Sequence, residues 1–227
     1  DDEISESPIV FRHMPCMAHT LPLVVKKTIS ATSCSLLNKV RTLVGQVRRS
    51  SVAVQKLLDL TGKKLMTDCP TRWNSSYFMM RRLSEMKISI NQVMETLKID
   101  SLRVAEWEKL GELVNRLEPF AEQTNVLQSD VQSLSYIIQT LFELQYHLQE
   151  FSQLQPTSQN MLHELQHRFQ YILQAHDINF NPLPAVACLL DPTVAAVMFT
   201  EDTKELLESA KSFIIAQVRQ LIITFLI

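Results

Sequence analysis

Glycine is scarce in this chain, which has three glycines in 227 residues. Tight hairpin turns depend on residues that accept positive φ, above all glycine. The shortage argues against a sheet built from many hairpins and favours a mainly α-helical fold. At this length the chain can bury a sizeable core in one domain or two.

Paired cysteines are also missing. The four cysteines are scattered without C-x-x-C spacing, and no signal peptide precedes them: Cys16, Cys34, Cys69 and Cys188. This pattern predicts reduced thiols in an intracellular protein.

Two histidine patterns are compatible with zinc, but neither is complete. The H-x-x-C-x-x-H run from His13 to His19 lacks the second ligand pair that a closed zinc site needs. The H-E-x-x-H run from His163 to His167 can place two ligands and a general base on one helix face. No G-x-x-H continuation follows it, and no glutamate lies between Glu164 and Glu201. We therefore predict no metal and no other cofactor, and keep a zinc hydrolase as a third hypothesis.

A long uninterrupted apolar run is absent as well. The most apolar stretch is the last fifteen residues, Phe213 to Ile227, and Gln217, Arg219 and Gln220 interrupt it. A membrane-spanning helix needs about 20 apolar residues, so we predict no membrane partner. An apolar helix at a chain end indicates truncation or a missing partner surface.

The net charge of −2 conceals an asymmetry along the chain. Residues 1 to 10 contain four acids, residues 11 to 100 fifteen lysines and arginines against five acids, and residues 101 to 227 seven against fifteen. The basic part suits a nucleic-acid surface, and it equally suits an ordinary solvated helix surface. Its densest run contains Lys39, Arg41, Arg48, Arg49, Lys56, Lys63 and Lys64, opposed only by Asp59.

The periodicity of apolar residues predicts a series of helices. We expect helices over residues 21–30, 34–60, 106–118, 134–151 and 162–172, and a further helix that begins within 74–76 and reaches 97. We also expect an extended segment over 65–71 and a short helix or extended segment over 182–192. We expect Pro119 to start a new helical turn or to kink the helix before it. The 3-4 spacing of leucines predicts that the helices over 134–151 and 162–172 form an antiparallel hairpin.

The stretch D-C-P-T-R-W-N-S-S-Y-F-M-M places an arginine beside a tryptophan where an extended segment becomes a helix. Pro70 disfavours helical geometry at the residue before it, and Asn74 to Ser76 are good N-cap types. We therefore expect Arg72 and Trp73 just ahead of the helix. An alternative has Trp73 as a core anchor and Arg72 as a surface ion-pair partner.

This position suits a nucleotide. A helix N-terminus offers unpaired N–H groups and partial positive charge to a phosphate, and arginine adds a planar donor fork. A base stacked on an aromatic side chain gains about 1–3 kcal/mol. Arg72 and Trp73 can therefore hold a nucleotide whose base has left its duplex.

Three motifs in order carry a family resemblance. They are C-x-A-H-x-L-x-L-x-V from Cys16 to Val25, T-R-W-N-S from Thr71 to Ser75, and Leu-Asp-Pro from Leu190 to Pro192. The chain resembles the hAT superfamily of transposases and the cellular BED-finger proteins descended from them, from about Cys16 to Pro192. Pro22 stands where the family usually has asparagine, which leaves the start of the first helix open.

The resemblance implies a mainly α fold: the edge of an RNase H-like core plus a large helical insertion domain. We expect residues 1–72 to border that core, residues 73–182 to form the insertion, and residues 183–227 to contain a return segment and a truncated C-terminal helix. The family's three catalytic acids, which hold two metal ions, are expected outside this chain. Asp68 and Asp191 match none of them, so the resemblance implies no enzymatic activity.

The resemblance also implies the binding residues. Arg72 and Trp73 match the pair that contacts a flipped base at the transposon end, and Cys16 and His19 match the family's C-x-x-H. With basic neighbours included, the predicted nucleic-acid contacts are Arg72, Trp73, Cys16, His19, Asn74, Arg48, Arg49, Lys63 and Lys64.

The predicted function is that of a non-catalytic fragment of a transposase-derived nuclear protein that binds DNA and acts in transcriptional control. This expectation rests on family analogy. Any homo-oligomer is expected to form through regions largely outside this chain. The alternative is a helical protein-interaction or dimerisation module, in which Trp73 is buried and the basic run only keeps the protein soluble.

Overall fold

The computed structural model describes residues 14–69, 72–127, 134–152 and 156–226. These residues are mainly helical, as predicted, and contain no β-strand; an isolated backbone bridge joins Cys69 and Arg72. The predicted edge of an RNase H-like core is not confirmed by them and stays a prediction. The helices are α1 (Met17–Thr32), α2 (Cys34–Arg49), α3 (Ser51–Thr61), α4 (Trp73–Glu85), α5 (Lys87–Leu97), α6 (Val104–Leu127), α7 (Ile137–Ser152), α8 (Pro156–Leu173), α9 (Leu183–Leu190), α10 (Pro192–Met198) and α11 (Lys204–Leu226).

Helix α1 begins four residues earlier than expected, at Met17 rather than Leu21. The Cys16 carbonyl starts it by accepting hydrogen bonds from the backbone N–H of Thr20 and from the Thr20 hydroxyl, at 3.0 and 3.1 Å. Pro22 lies inside this helix, which continues through it to Thr32. The missing proline N–H therefore does not define where the helix starts.

The predicted single helix over residues 34–60 is wrong at Ser50, where the chain breaks into α2 and α3. Ser50 adopts φ −95° and ψ 110°, and its side-chain oxygen accepts a hydrogen bond from the Ala53 N–H at 3.2 Å. This is an N-cap, which satisfies an otherwise unpaired donor of α3. Gly62 ends α3 with φ 66°, the left-handed conformation expected of a C-terminal glycine.

The segment after Arg72 is likewise two helices, since α4 ends and α5 begins at the buried Met86. By contrast, α6 continues through Pro119 to Leu127, so no new helix begins at the proline. The apolar stripes predicted for these segments are buried, including Val40, Val44, Val47, Met79, Leu83, Ile90 and Val93.

The contacts divide the chain into two compact units. The larger contains Leu21–Gln132 and Phe142–Leu165. Within it α4 packs against α6, and α3 packs against α2 and α5. Its largest fully buried side chains include Tyr77, Phe120, Met79, Met80, Leu83 and Leu117.

The smaller unit contains Asp1–Thr20, Ser133–Leu141 and Gln166–Ile227. Residues 182–192 form short helices rather than an extended segment, and α9 packs against α10 and α11. None of the four cysteines forms a disulfide, and burial raises the pKa of the Cys188 thiol to about 11. None of the helices in the described part of the chain is long and apolar enough to cross a bilayer.

Both units draw on segments far apart in sequence, whereas the predicted domains 1–72, 73–182 and 183–227 divide the chain linearly. Those boundaries stay a prediction. The faces of α7 and α8 that were predicted to form a seam are buried at Leu141, Leu144, Leu148, Leu165, Phe169 and Ile172. The pairing of the two helices in a hairpin also stays a prediction.

Candidate nucleic-acid interface

Arg72 and Trp73 lie at the N-terminus of α4. Arg72 is the N-cap residue, with φ −124° and ψ 106°, and its side chain is exposed. Trp73 is the first residue of the helix itself, one to three positions earlier than the predicted start, and it is partly buried. The indole is therefore neither fully exposed nor sealed in the core.

A hydrogen-bonded turn fixes the backbone of Arg72. Its N–H donates to the Cys69 carbonyl at 2.9 Å. The Ser75 hydroxyl accepts from the Cys69 N–H at 2.7 Å and lies 2.6 Å from the Arg72 carbonyl, to which it donates. Ser75 lies inside α4 and closes the turn with its hydroxyl. It is not the N-cap residue of the helix.

The carboxylate of Asp68 holds this turn to α2. Arg41 donates to Asp68 Oδ2 from Nε and Nη2, both at 2.7 Å, and the Ser76 hydroxyl donates to the same oxygen at 2.9 Å. Asp68 therefore has a structural role that joins α2 to α4.

The predicted basic contacts fall into two groups. Arg48 donates from Nη1 to the Leu65 carbonyl at 2.8 Å, so it holds the segment between α3 and α4 in place. Arg49, Lys63 and Lys64 are exposed. The Lys63 ammonium lies 3.9 Å from a Glu85 carboxylate oxygen, which is a long and solvent-exposed pair.

The opposite side of the same segment is held by α4. Arg82 donates from Nη1 to the Lys64 carbonyl at 3.1 Å. Because Arg48 and Arg82 bond to consecutive carbonyls, the lysine side chains of this segment are presented from a fixed backbone. Arg48 and Arg82 form structural hydrogen bonds, whereas the exposed side chains of Arg49, Lys63 and Lys64 are accessible to a phosphate.

Asn74 connects α4 to α6. Its Nδ2 donates to Asn125 Oδ1 at 3.1 Å. Two neighbouring polar atoms, Trp73 Nε1 and Asn74 Oδ1, are buried and have no hydrogen-bond partner among the described residues. Sequence analysis missed Asn125 because it lies 51 residues beyond Asn74, and no motif or spacing marks it.

Cys16 and His19 are both exposed and belong to the smaller unit, whereas the other predicted contacts belong to the larger one. The Cys16 thiol is free, and its carbonyl begins α1.

In the described part of the chain, neither zinc pattern brings together a group of three potential metal ligands. Glu164, the base of the H-E-x-x-H pattern, is buried and accepts from Lys27 Nζ at 2.5 Å. His13, the first residue of the other pattern, lies outside the described residues.

Comparison with known proteins supports the family resemblance predicted from the sequence. The family model of the ZBED1 RNase-like helical domain matches residues 14–116, a range that includes every predicted nucleic-acid contact. The matched range is 103 of the 227 residues and includes the Arg-Trp turn at the start of α4. The chain is related to the domesticated, hAT-derived BED-type proteins, and the predicted resemblance is confirmed.

A particular relative is the human protein "Zinc finger BED domain-containing protein 4". It is 28% identical to this chain over 201 residues. The match covers 84% of this chain and 17% of that protein. The chain thus spans about a sixth of the relative's length, and it matches that protein in one part only.

Proposed function

We propose that this chain is the DNA-binding helical part of a nuclear regulatory protein derived from a transposase. The observation that carries the proposal is the start of α4, where the exposed Arg72 caps a helix whose first residue is the partly buried Trp73. A permanently charged donor fork, a helix N-terminus and an indole lie together there. This combination suits a phosphate and its unstacked base.

The surrounding charges support the same proposal. Arg49, Lys63 and Lys64 are exposed on the same unit as Arg72. They can neutralise phosphates and release counterions, which gives affinity without sequence preference. Arg48 and Arg82 hold the backbone of the segment that carries the two lysines. Because that backbone is already fixed, binding needs little ordering of the loop.

The proposal includes no strand transfer by this chain. The resemblance places the catalytic acids elsewhere, and the two aspartates in or near the family motifs have structural partners. Asp68 is bonded to Arg41 and Ser76, and Asp191 to Thr193 and Ser135. Two-metal catalysis needs carboxylates free to hold the ions.

A protein-interaction module remains the second candidate, because α11 exposes a series of apolar side chains. They are Ile215, Val218, Leu221, Ile222 and Ile223. This candidate predicts that the wild-type chain has no affinity for DNA.

Binding to a labelled DNA hairpin with a short single-stranded flap, measured by fluorescence anisotropy at low salt, tests the proposal. We expect Arg72→Ala and Trp73→Ala each to weaken binding by about tenfold, the loss typical of one stacked base or one charged contact. Arg81→Ala is the matched control, because Arg81 is exposed on the same helix but pairs with Glu85 at 3.2 Å.

Thermal unfolding of each variant separates lost binding from lost folding. Trp73→Phe is the second variant, because it keeps an aromatic surface and much of the buried volume. We expect it to bind more tightly than Trp73→Ala at equal stability. A wild-type chain without measurable affinity for the hairpin would reject the proposal in favour of the interaction module.

A further inference from the structure

The inference concerns Asn125, a surface residue near the C-terminal end of α6. Helix α6 packs against α4, and this places the Asn125 side-chain oxygen 3.1 Å from the Asn74 amide nitrogen. Asn125 is exposed, and its own amide N–H groups have no partner among the described residues. Two amide groups from different helices thus meet beside the Arg-Trp turn.

The polar atoms at this place are incompletely satisfied. Trp73 Nε1 is an unpaired donor and Asn74 Oδ1 an unpaired acceptor within the described part of the molecule. A buried polar atom without a partner lowers the stability of the folded chain. Unpaired atoms on consecutive residues are uncommon in a native protein and occur where function overrides stability.

The charges around Asn125 favour a base over a phosphate. Glu118, Glu122 and Asn125 follow each other at i, i+4 and i+7, so they share one face of α6. Two carboxylates on that face repel a phosphate group. The neutral amide of Asn125, which follows them on that face, can still bond to a base edge, which carries no charge.

We propose that Asn125 contacts the nucleobase and that the Asn74–Asn125 amide pair reads its edge, while Arg72 holds the phosphate and Trp73 stacks on the ring. Adenine fits best, because it offers an amino donor beside a ring-nitrogen acceptor on both its Watson–Crick and its Hoogsteen edge, whereas an unpaired cytosine offers this pattern on one of these edges and guanine and thymine on neither. This inference rests on the proposed function and extends the site to a second helix.

Hairpins that differ only in one unpaired flap base test the inference. The probes carry A, C, G, T or an abasic site at that position, and affinity is measured by anisotropy at one fixed salt concentration. We expect the wild type to prefer the A probe. Asn125→Ala should weaken binding to the A probe by about tenfold and leave the abasic probe unchanged.

Asn115→Ala is the matched control, because Asn115 is an exposed asparagine on the same helix. We expect it to bind every probe as the wild type does. Two results overturn the inference alone: equal wild-type affinity for all four bases, or an Asn125→Ala loss that is the same for the abasic and the A probe. Absence of wild-type binding to every probe would instead overturn the proposed function.

Discussion

Two neighbouring side chains determine the structural role of Asp191, the aspartate of the Leu-Asp-Pro motif. Asp191 Oδ1 accepts from the Thr193 N–H at 3.0 Å and from the Thr193 hydroxyl at 2.6 Å, and Oδ2 accepts from Ser135 at 2.7 Å. The Thr193 hydroxyl, then Ser135, lower the pKa of this carboxyl. The Leu-Asp-Pro motif is thus the N-cap of α10. Its partner Ser135 is 56 residues away in sequence, so no local pattern could have predicted the contact.

Acid should remove the contribution of Asp191 to stability. Its pKa is lower in the folded chain than in the unfolded one, so the charged cap stabilises the fold above the unfolded pKa of about 3.9. That contribution is lost as the pH falls from there through the folded pKa. Urea unfolding at neutral pH and at about pH 3 measures it.

We expect Asp191→Asn to be less stable than the wild type at neutral pH, and the difference to shrink in acid. Asp202→Asn is the control, an exposed acid in the same unit. A difference that stays constant across this pH range would show that the charge of Asp191 contributes nothing.

At the scale of a helix, apolar spacing predicts which face is buried but not where the helix stops. The stripe Val40, Val44, Val47 and Leu57 is buried as its period predicts, on both sides of the break at Ser50. Serine is compatible with either outcome, since it can continue a helix or cap the next one. Whether Ser50 continues α2 or caps α3 depends on how the two helices pack in three dimensions. The spacing of apolar residues along the chain does not determine that packing.

The turn before α4 shows the same limit. Pro70 and the N-cap residue types predicted the position of α4 to within three residues. They did not predict that Ser75 would bond backward to Cys69 and Arg72 and so move the start of the helix to Trp73. The position of the Arg-Trp pair was therefore predictable, whereas the hydrogen bond from the neighbouring Asn74 to Asn125 was not.

Removing the cap of α3 should destabilise the larger unit. We expect Ser50→Ala to lower the free energy of unfolding by about 1 kcal/mol and Ser50→Gly by a few tenths, because glycine tolerates the cap backbone. Ser51→Ala, the next residue and exposed, is the control and should change it little. Chemical denaturation followed by circular dichroism measures all three. Equal losses for Ser50→Ala and Ser51→Ala would contradict the assignment of the cap.

Across the whole chain, charge composition predicted a basic part but not the use of each cation. Of the basic residues in that part, Arg41, Arg48 and Arg82 bond to Asp68 or to backbone carbonyls, and Lys39 pairs with Glu106. Each of these cations adds the same charge to the total as Arg49, Lys63 or Lys64 does. Only the folded structure distinguishes cations that form structural hydrogen bonds from cations that remain accessible to a phosphate.

This separation predicts opposite behaviour for Arg48 and Lys64, which lie beside the same segment. Each phosphate contact contributes about one unit to the slope of log affinity against log salt concentration. We expect Lys64→Gln to reduce the slope for hairpin DNA by about one and to leave the free energy of unfolding within about 0.5 kcal/mol of the wild type. Arg48→Gln should lower the free energy of unfolding by about 1 kcal/mol, because the Leu65 carbonyl loses its donor.

Anisotropy titrations between low and physiological salt give the slope, and urea unfolding gives the stability. The two measurements together exclude a trivial result, because a merely destabilised variant binds less DNA at every salt concentration without a change in slope. Equal reductions of the slope in both variants would mean that Arg48 leaves the Leu65 carbonyl to bind phosphate. The basic part would then act as one undivided electrostatic surface.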